Sequence, residues 1–171
     1  MIRSDLSRRH LVFGLAVTGV FGLAACSGKS EAGQQTSGLS GDGAAAQPIM
    51  TVYRDPNCPC CEDWATHVRE QLSFEVTARD EPAIAEVKAQ RGVPAGLASC
   101  HTVEIEGYVI EGHVPAREIR RLLAEKPEDV RGLAVAGMPL GSPGMEAGGR
   151  AQPYQVIAFG DFGQRVFASY P

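Results

Sequence analysis

Apolar positions along this chain fall into three regimes. They run almost unbroken from Leu11 to Ala25 (LVFGLAVTGVFGLAA), nearly vanish between residues 27 and 48, and become periodic from Ile49 onward. In the periodic region Met50 to Arg54 is a short β-prone run, and Asp55-Pro56-Asn57 marks a turn. From Cys61 to Leu72 the spacing of Trp64, Val68 and Leu72 is helical. The pattern continues with a strand over Phe74 to Ala78 and a helix over Pro82 to Gln90. A strand or strand pair follows over Thr102 to Ile110, interrupted at Gly107, and then a helix over Pro115 to Ala124 with Ile119, Leu122 and Leu123 on its apolar face. Tyr154 to Ala168, folded about Gly160-Asp161-Phe162-Gly163, predicts a closing β-hairpin. Strands alternating with helices in this order predict an α/β domain, a mixed sheet with helices packed on it.

The first two regimes lie outside that domain. Arg3, Arg8 and Arg9 precede an apolar stretch too short to span a bilayer stably, the arrangement of an export signal over residues 1–25. The stretch ends in Leu23-Ala24-Ala25-Cys26, which resembles the bacterial lipobox, so Cys26 is expected to be lipidated and to anchor the mature chain. Ser7 to Val12 (SRRHLV) also resembles a twin-arginine signal, although Val12 matches its ending poorly. Residues 26–48, small, polar and without aromatics, bury too little apolar surface to offset the entropy of ordering and are expected to form a flexible tether. The working domain is then residues 49–171. The formal charge of −4 becomes −6 once residues 1–25, with three Arg and one Asp, are removed, and no basic patch is present; nucleic-acid binding is excluded.

Chemistry concentrates in Cys58-Pro59-Cys60-Cys61. With Cys100, the domain carries four cysteines. Two structural disulfides are the simplest use of an even count in an exported chain, but adjacent Cys60 and Cys61 cannot pair without strain, and Cys58 with Cys60 closes a very small ring. A Cys58 to Cys61 bridge is feasible, yet it staples a tiny loop and adds little stability. The cluster lies on a strand-to-helix turn, where unpaired N–H groups and the helix macrodipole favour thiolate, as both a redox dithiol and a soft-metal site require. Strand, C-x-x-C and helix in that order resemble the thioredoxin superfamily; the third sulfur between the pair is what a plain oxidoreductase does not need.

Ser99-Cys100-His101-Thr102 falls at a loop-to-strand junction, able to face the first cluster. A lone cysteine is more often a small buried hydrophobe, but beside His101 and three clustered thiols Cys100 is a candidate ligand. His113, just ahead of the third helix, has packing or capping as its alternative to ligation; His67, mid-helix, is the weaker candidate. Met138 and Met145 occupy a Gly- and Pro-rich segment, Gly137 to Met145, that can be neither helix nor central strand. Thioethers beside thiolates are the donor set that Cu(I) selects.

Four spaced motifs, VYRDPNCPCC, GVPAGLASCHT, GYVIEGHVPAREIRRLL and GLAVAGMPLGSPGME, together resemble the CopG-like copper-resistance family, over about Met50 to Phe167. The resemblance implies a thioredoxin-like domain in the periplasm that binds several copper ions, with Cys58, Cys60, Cys61 and Cys100 as principal ligands and Met138, Met145, His101 and His113 at matching family positions. It also implies copper resistance or Cu(I)/Cu(II) interconversion, with other periplasmic copper-handling or redox proteins as partners. The lipobox makes this a lipid-anchored version, expected at a bacterial outer membrane. Turnover of Cu(I) and Cu(II) would make the chain a copper oxidoreductase. Two alternatives stay open: a thiol-disulfide oxidoreductase using Cys58 and Cys61, and a static zinc or iron-sulfur module, although a single C-x-x-C is poor for structural zinc. No G-x-S-x-G, H-E-x-x-H or phosphate-binding glycine loop points to hydrolysis.

Overall fold

The computed structural model describes residues 47–146 and 148–171. The export signal, Cys26 and nearly all of the tether lie outside the described residues. Among these residues no helix is long and apolar enough to cross a membrane.

The order is β1 (Ile49–Arg54), α1 (Pro59–Leu72), β2 (Glu75–Asp80), α2 (Ile84–Gln90), a 3-10 turn (Ala95–Leu97), β3 (His101–Ile105), β4 (Tyr108–Glu111), α3 (Ala116–Glu125), β5 (Gly132–Ala134), β6 (Tyr154–Gly160) and β7 (Gly163–Tyr170). The strands form one mixed sheet in the order β2-β1-β3-β4-β5-β6-β7. Two parallel pairs, β1 with β2 and β4 with β5, are each connected through a helix, and the remaining pairs are antiparallel. This is the α/β, thioredoxin-like mixed sheet with a C-terminal hairpin that the periodicity and the resemblance lead one to expect. The Thr102 to Ile110 segment resolves into two strands, because Glu106 and Gly107 both take positive φ and reverse the chain.

One strand escaped the pattern. β5 is only Gly132, Leu133 and Ala134, without a β-branched residue. A Cβ at Gly132 would collide with the Val109 carbonyl oxygen of β4 and lie 2.8 Å from the Phe159 ring of β6, so the glycine that makes the segment look like a loop is what lets both neighbouring strands approach it.

Side chains alternate between the two faces of the sheet. One face carries the larger core: Met50, Val52, Val103, Ile105, Ile110 and Leu133 meet Trp64 and Val68 of α1 and Ile119 and Leu122 of α3. The other carries a smaller one, in which Val109, Ala134 and Phe159 meet Val93 and Leu97. Each large aliphatic side chain buried this way contributes about 1.5–3 kcal/mol. α1 and α3 are tied directly: Trp64 Nε1 donates to the Val114 carbonyl at 2.9 Å, and the Ala116 N–H donates to His67 Nε2 at 3.3 Å.

Candidate metal centre

Everything of chemical interest gathers where β1 gives way to α1. Asp55 accepts the Asn57 N–H at 2.7 Å through its side chain and the Cys58 N–H at 3.1 Å through its backbone, which closes the turn. Cys58 then stands at the helix N-cap in extended conformation, and Pro59 opens the helix, where its missing N–H costs nothing. The helix therefore begins two residues earlier than its apolar spacing indicates, and Cys60 and Cys61 lie in its first turn. Cys61 is fully buried; Cys58, Cys60 and Cys100 are partly exposed.

Cys58 and Cys61 are joined as a disulfide, whereas Cys60 and Cys100 are free thiols. Cys60 Sγ lies 3.3 Å from Cys58 Sγ and 4.0 Å from Cys100 Sγ. Cys100 is in turn next to two imidazoles, with its sulfur 3.2 Å from His101 Nδ1 and 3.0 Å from His113 Nε2. Two donor groups overlap at Cys100: Cys58, Cys60, Cys61 and Cys100 form one, and Cys100, His101 and His113 the other, with donor atoms of each within 4.8 Å of one another.

The imidazoles are prepared as neutral donors. The Pro143 carbonyl lies 2.8 Å from His113 Nδ1 and can only accept, so this nitrogen carries the proton and Nε2 presents its lone pair toward Cys100. Burial lowers the pKa of His113. Burial, then the neighbouring His113 and Lys88, holds that of His101 well below the ordinary histidine value. His101 is fully buried against the Trp64 ring, with centroids 4.5 Å apart, and its Nε2 has no hydrogen-bond partner among the described residues. The imidazole nitrogens that face the thiols are His101 Nδ1, 3.2 Å from the Cys100 sulfur, and His113 Nε2, 3.0 Å from it, and thiols with neutral imidazoles form a donor set that fits a soft metal ion. Burial, followed by the adjacent Cys60, pushes the Cys100 thiol up to about 12, so a metal ion arriving there displaces a proton.

The glycine-rich segment closes over this cluster. Gly144 takes φ +78°, and a Cβ there would stand 2.7 Å from the Trp64 N and 2.9 Å from the Cys60 carbonyl, so the loop lies directly on the first turn of α1. This contact brings in Pro143 and leaves Met145 half-buried beside the helix start. Met138 is 52% exposed, next to Gly137, whose carbonyl accepts the Ser99 hydroxyl. The structure thus gathers Cys58, Cys60, Cys61, Cys100, His101 and His113 into two donor groups that share Cys100, and places the two methionines on the glycine-rich segment whose Gly144 packs on the first turn of α1. His67 acts otherwise, accepting the first N–H of α3.

Sequence reasoning missed a buried polar group behind Cys100. Glu111 and Thr102, both fully buried, and Lys88, at 9% exposure, bond to one another on the α2 side of the sheet. The available signal was Glu111 itself, a carboxylate closing the apolar run Tyr108-Val109-Ile110.

A thioredoxin-like α/β domain with thiols and imidazoles crowded at the start of its first helix defines a class of proteins that handle soft metals or thiol redox equivalents. A family described as "Protein of unknown function, DUF411" matches residues 97–145, the stretch holding Cys100, His101, His113, Met138 and Met145. Two solved structures, described as copper resistance protein CopG in form 2 and form 1, are each 45% identical with a TM-score of 0.68. Each match covers 73% of this chain, and 99% and 98% of the respective CopG chains. No curated protein matches the chain. The chain belongs to the CopG family of copper resistance proteins.

Proposed function

We propose that this protein is an exported, lipid-anchored copper-binding protein that sequesters several Cu(I) ions on Cys58, Cys60, Cys61 and Cys100, with His101 and His113 completing the donor set. The observation that carries this reading is the sharing of Cys100 between a four-sulfur group and an imidazole pair. Bridging thiolates hold more than one soft cation without needing a separate set of ligands for each, which accounts for adjacent cysteines that a single disulfide leaves unused. Copper is the cargo; Met138 and Met145 are the thioethers within the loop that would meet it on the way in. The Cys58–Cys61 disulfide is the oxidised, low-capacity state. A thiol reductant delivering two electrons and two protons opens it and doubles the number of thiols in the cluster. Export follows from residues 1–25, anchoring from Cys26 and reach from residues 26–48, with residues 49–171 as the copper-binding domain; radiolabelled palmitate incorporation abolished by Cys26→Ala tests the anchor.

The central test is anaerobic Cu(I) titration of the reduced protein against a chromophoric chelator. More than one copper per chain is expected, falling in Cys60→Ser and in Cys100→Ser. A stoichiometry unchanged by both substitutions would count decisively against a shared cluster.

A second reading is favoured by one observation, the Cys58–Cys61 disulfide itself. In a thiol-disulfide oxidoreductase, Cys58 or Cys61 would be the nucleophile and Cys60 dispensable. Insulin reduction retained by Cys60→Ser while copper binding is lost would favour it.

A further inference from the structure

The segment that carries Cys100 is held from the opposite face of the sheet by a buried ion pair. Glu111 Oε1 accepts the Ser99 N–H at 2.6 Å and Lys88 Nζ at 2.7 Å, and Oε2 accepts the Thr102 hydroxyl at 2.7 Å. Lys88 Nζ also donates to Thr102 Oγ1 at 3.0 Å. The Glu111 side chain is 0% exposed and that of Lys88 11%. Placing such a pair in the interior costs desolvation energy that its mutual attraction often fails to recover, so stability alone is a poor reason for it. What the carboxylate does that an apolar residue could not is accept a backbone N–H from the residue directly before Cys100.

The neighbouring contacts act on the same segment. The Ser99 hydroxyl donates to the Gly137 carbonyl, the Gly137 N–H donates to the Ala98 carbonyl at 3.2 Å, and the Gly112 N–H donates to the His101 carbonyl at 3.0 Å. At Gly112 a side chain would collide with Ser99 and with the Val135 carbonyl. The Cys100 backbone is therefore fixed on both sides, while Cys60 is fixed independently by the first turn of α1.

We propose that Glu111, neutralised by Lys88 and oriented by Thr102, is a positioning residue that sets the Cys100 sulfur against Cys60 before any metal arrives. None of the three touches the cargo. The proposal rests on the copper reading for its purpose but not for its geometry, so it is tested without copper first. With Cys26, Cys58 and Cys61 replaced by Ser, Cys60 and Cys100 are the remaining thiols. Oxidised glutathione then converts them to a disulfide: glutathione takes two electrons and leaves as two glutathione thiols, which carry off the two cysteine protons. The closure rate reports how often the two sulfurs meet.

In this background the pair Lys88→Met and Glu111→Leu, which removes both charges and the acceptor, is expected to slow closure at least tenfold. Lys88→Met with Glu111→Gln, which removes the charges but keeps an acceptor for Ser99, is expected to restore it. Equal closure in all three proteins overturns the proposal, and so does equal slowing in both variants. Hydrogen exchange on the protein with all its cysteines needs no variant to fold: the Ser99 amide is expected to be protected at least a hundredfold, and exchange at the rate of an unstructured chain overturns the proposal as well. Reduced protein with Cys26, Cys58, Cys60, Cys61 and Cys100 intact, carrying the Leu pair, is then expected to lose at least tenfold in Cu(I) affinity, and the Gln pair to recover it. If Cys100→Ser binds copper like wild type while the closure rates behave as stated, the copper reading fails and the positioning role of Glu111 stands.

Discussion

At the scale of single residues, two contacts around the cluster make strong demands. Gly144 combines a positive φ with a Cβ direction aimed into the backbone of α1. Gly144→Ala is expected to destabilise the protein by about 1–3 kcal/mol, from left-handed strain with the clash added; a urea midpoint equal to that of wild type would show that the loop does not lie on the helix. Trp64 is fully buried, its ring against His101 and its Nε1–H on the Val114 carbonyl. Trp64→Phe leaves that carbonyl without its donor, and a loss of about 1–3 kcal/mol is expected in the same measurement. The cysteines were legible in the sequence because crowding is itself a pattern. Glu111 and Lys88 were not. A polar residue in an alternating strand, or a lysine on a short helix, has the ordinary appearance of a solvated position, and only the fold brings α2, β3 and β4 together around them. The Pro143 carbonyl that sets the His113 tautomer was hidden for the same reason: it comes from a loop 30 residues away.

At the scale of elements, α3 shows how a helix start can be linked to pH. Its N-cap, Pro115, offers no side-chain acceptor, and the Ala116 N–H instead finds His67 of α1. Only a neutral imidazole can accept this bond. The His67 pKa is lowered, with burial the largest cause, opposed by the charges of Glu146 and Glu70. For a base whose folded pKa lies below its unfolded value, the unfolded chain binds the proton more tightly, so stability falls as pH drops through the unfolded value toward the folded one. Above the ordinary histidine value both states are neutral and the contribution disappears. His67→Gln keeps an acceptor but does not titrate, so its denaturant midpoint should fall less than that of wild type between pH 7.5 and about pH 5.5, a window set by the ordinary histidine pKa. Parallel midpoint curves for the two proteins would remove His67 from the account. The helix itself was legible, since Ile119 and Leu122 mark its buried side, but its partner was not, because mid-helix histidines leave no sequence sign of what they accept. β5 was the element lost altogether: three residues with a leading glycine carry no period, and their strand character is imposed by β4 on one side and β6 on the other.

At the scale of the whole molecule, the order of elements could be read along the chain, but the order of strands across the sheet could not. β1 comes first in sequence yet sits inside the sheet, parallel to β2 and antiparallel to β3. Its position sets where the domain must begin. Met50 and Val52 are fully buried in the larger core, whereas Ile49 is 58% exposed. A chain starting at residue 47 keeps every ladder bond and every core side chain described above. It is expected to unfold in one cooperative transition at the same urea midpoint as the chain from residue 26, and to bind the same number of Cu(I) ions. A chain starting at residue 55 loses the whole of β1, leaving β2 without its neighbour and the inner edge of β3 unpaired, and removes the floor beneath Trp64 and Val68. It is expected to show neither the transition nor the copper. Should the residue-55 chain fold and bind as well as the residue-47 chain, β1 would not be the strand that holds the cysteine turn in place, and the cluster would have to be organised by α1 and the loop over Gly144 alone.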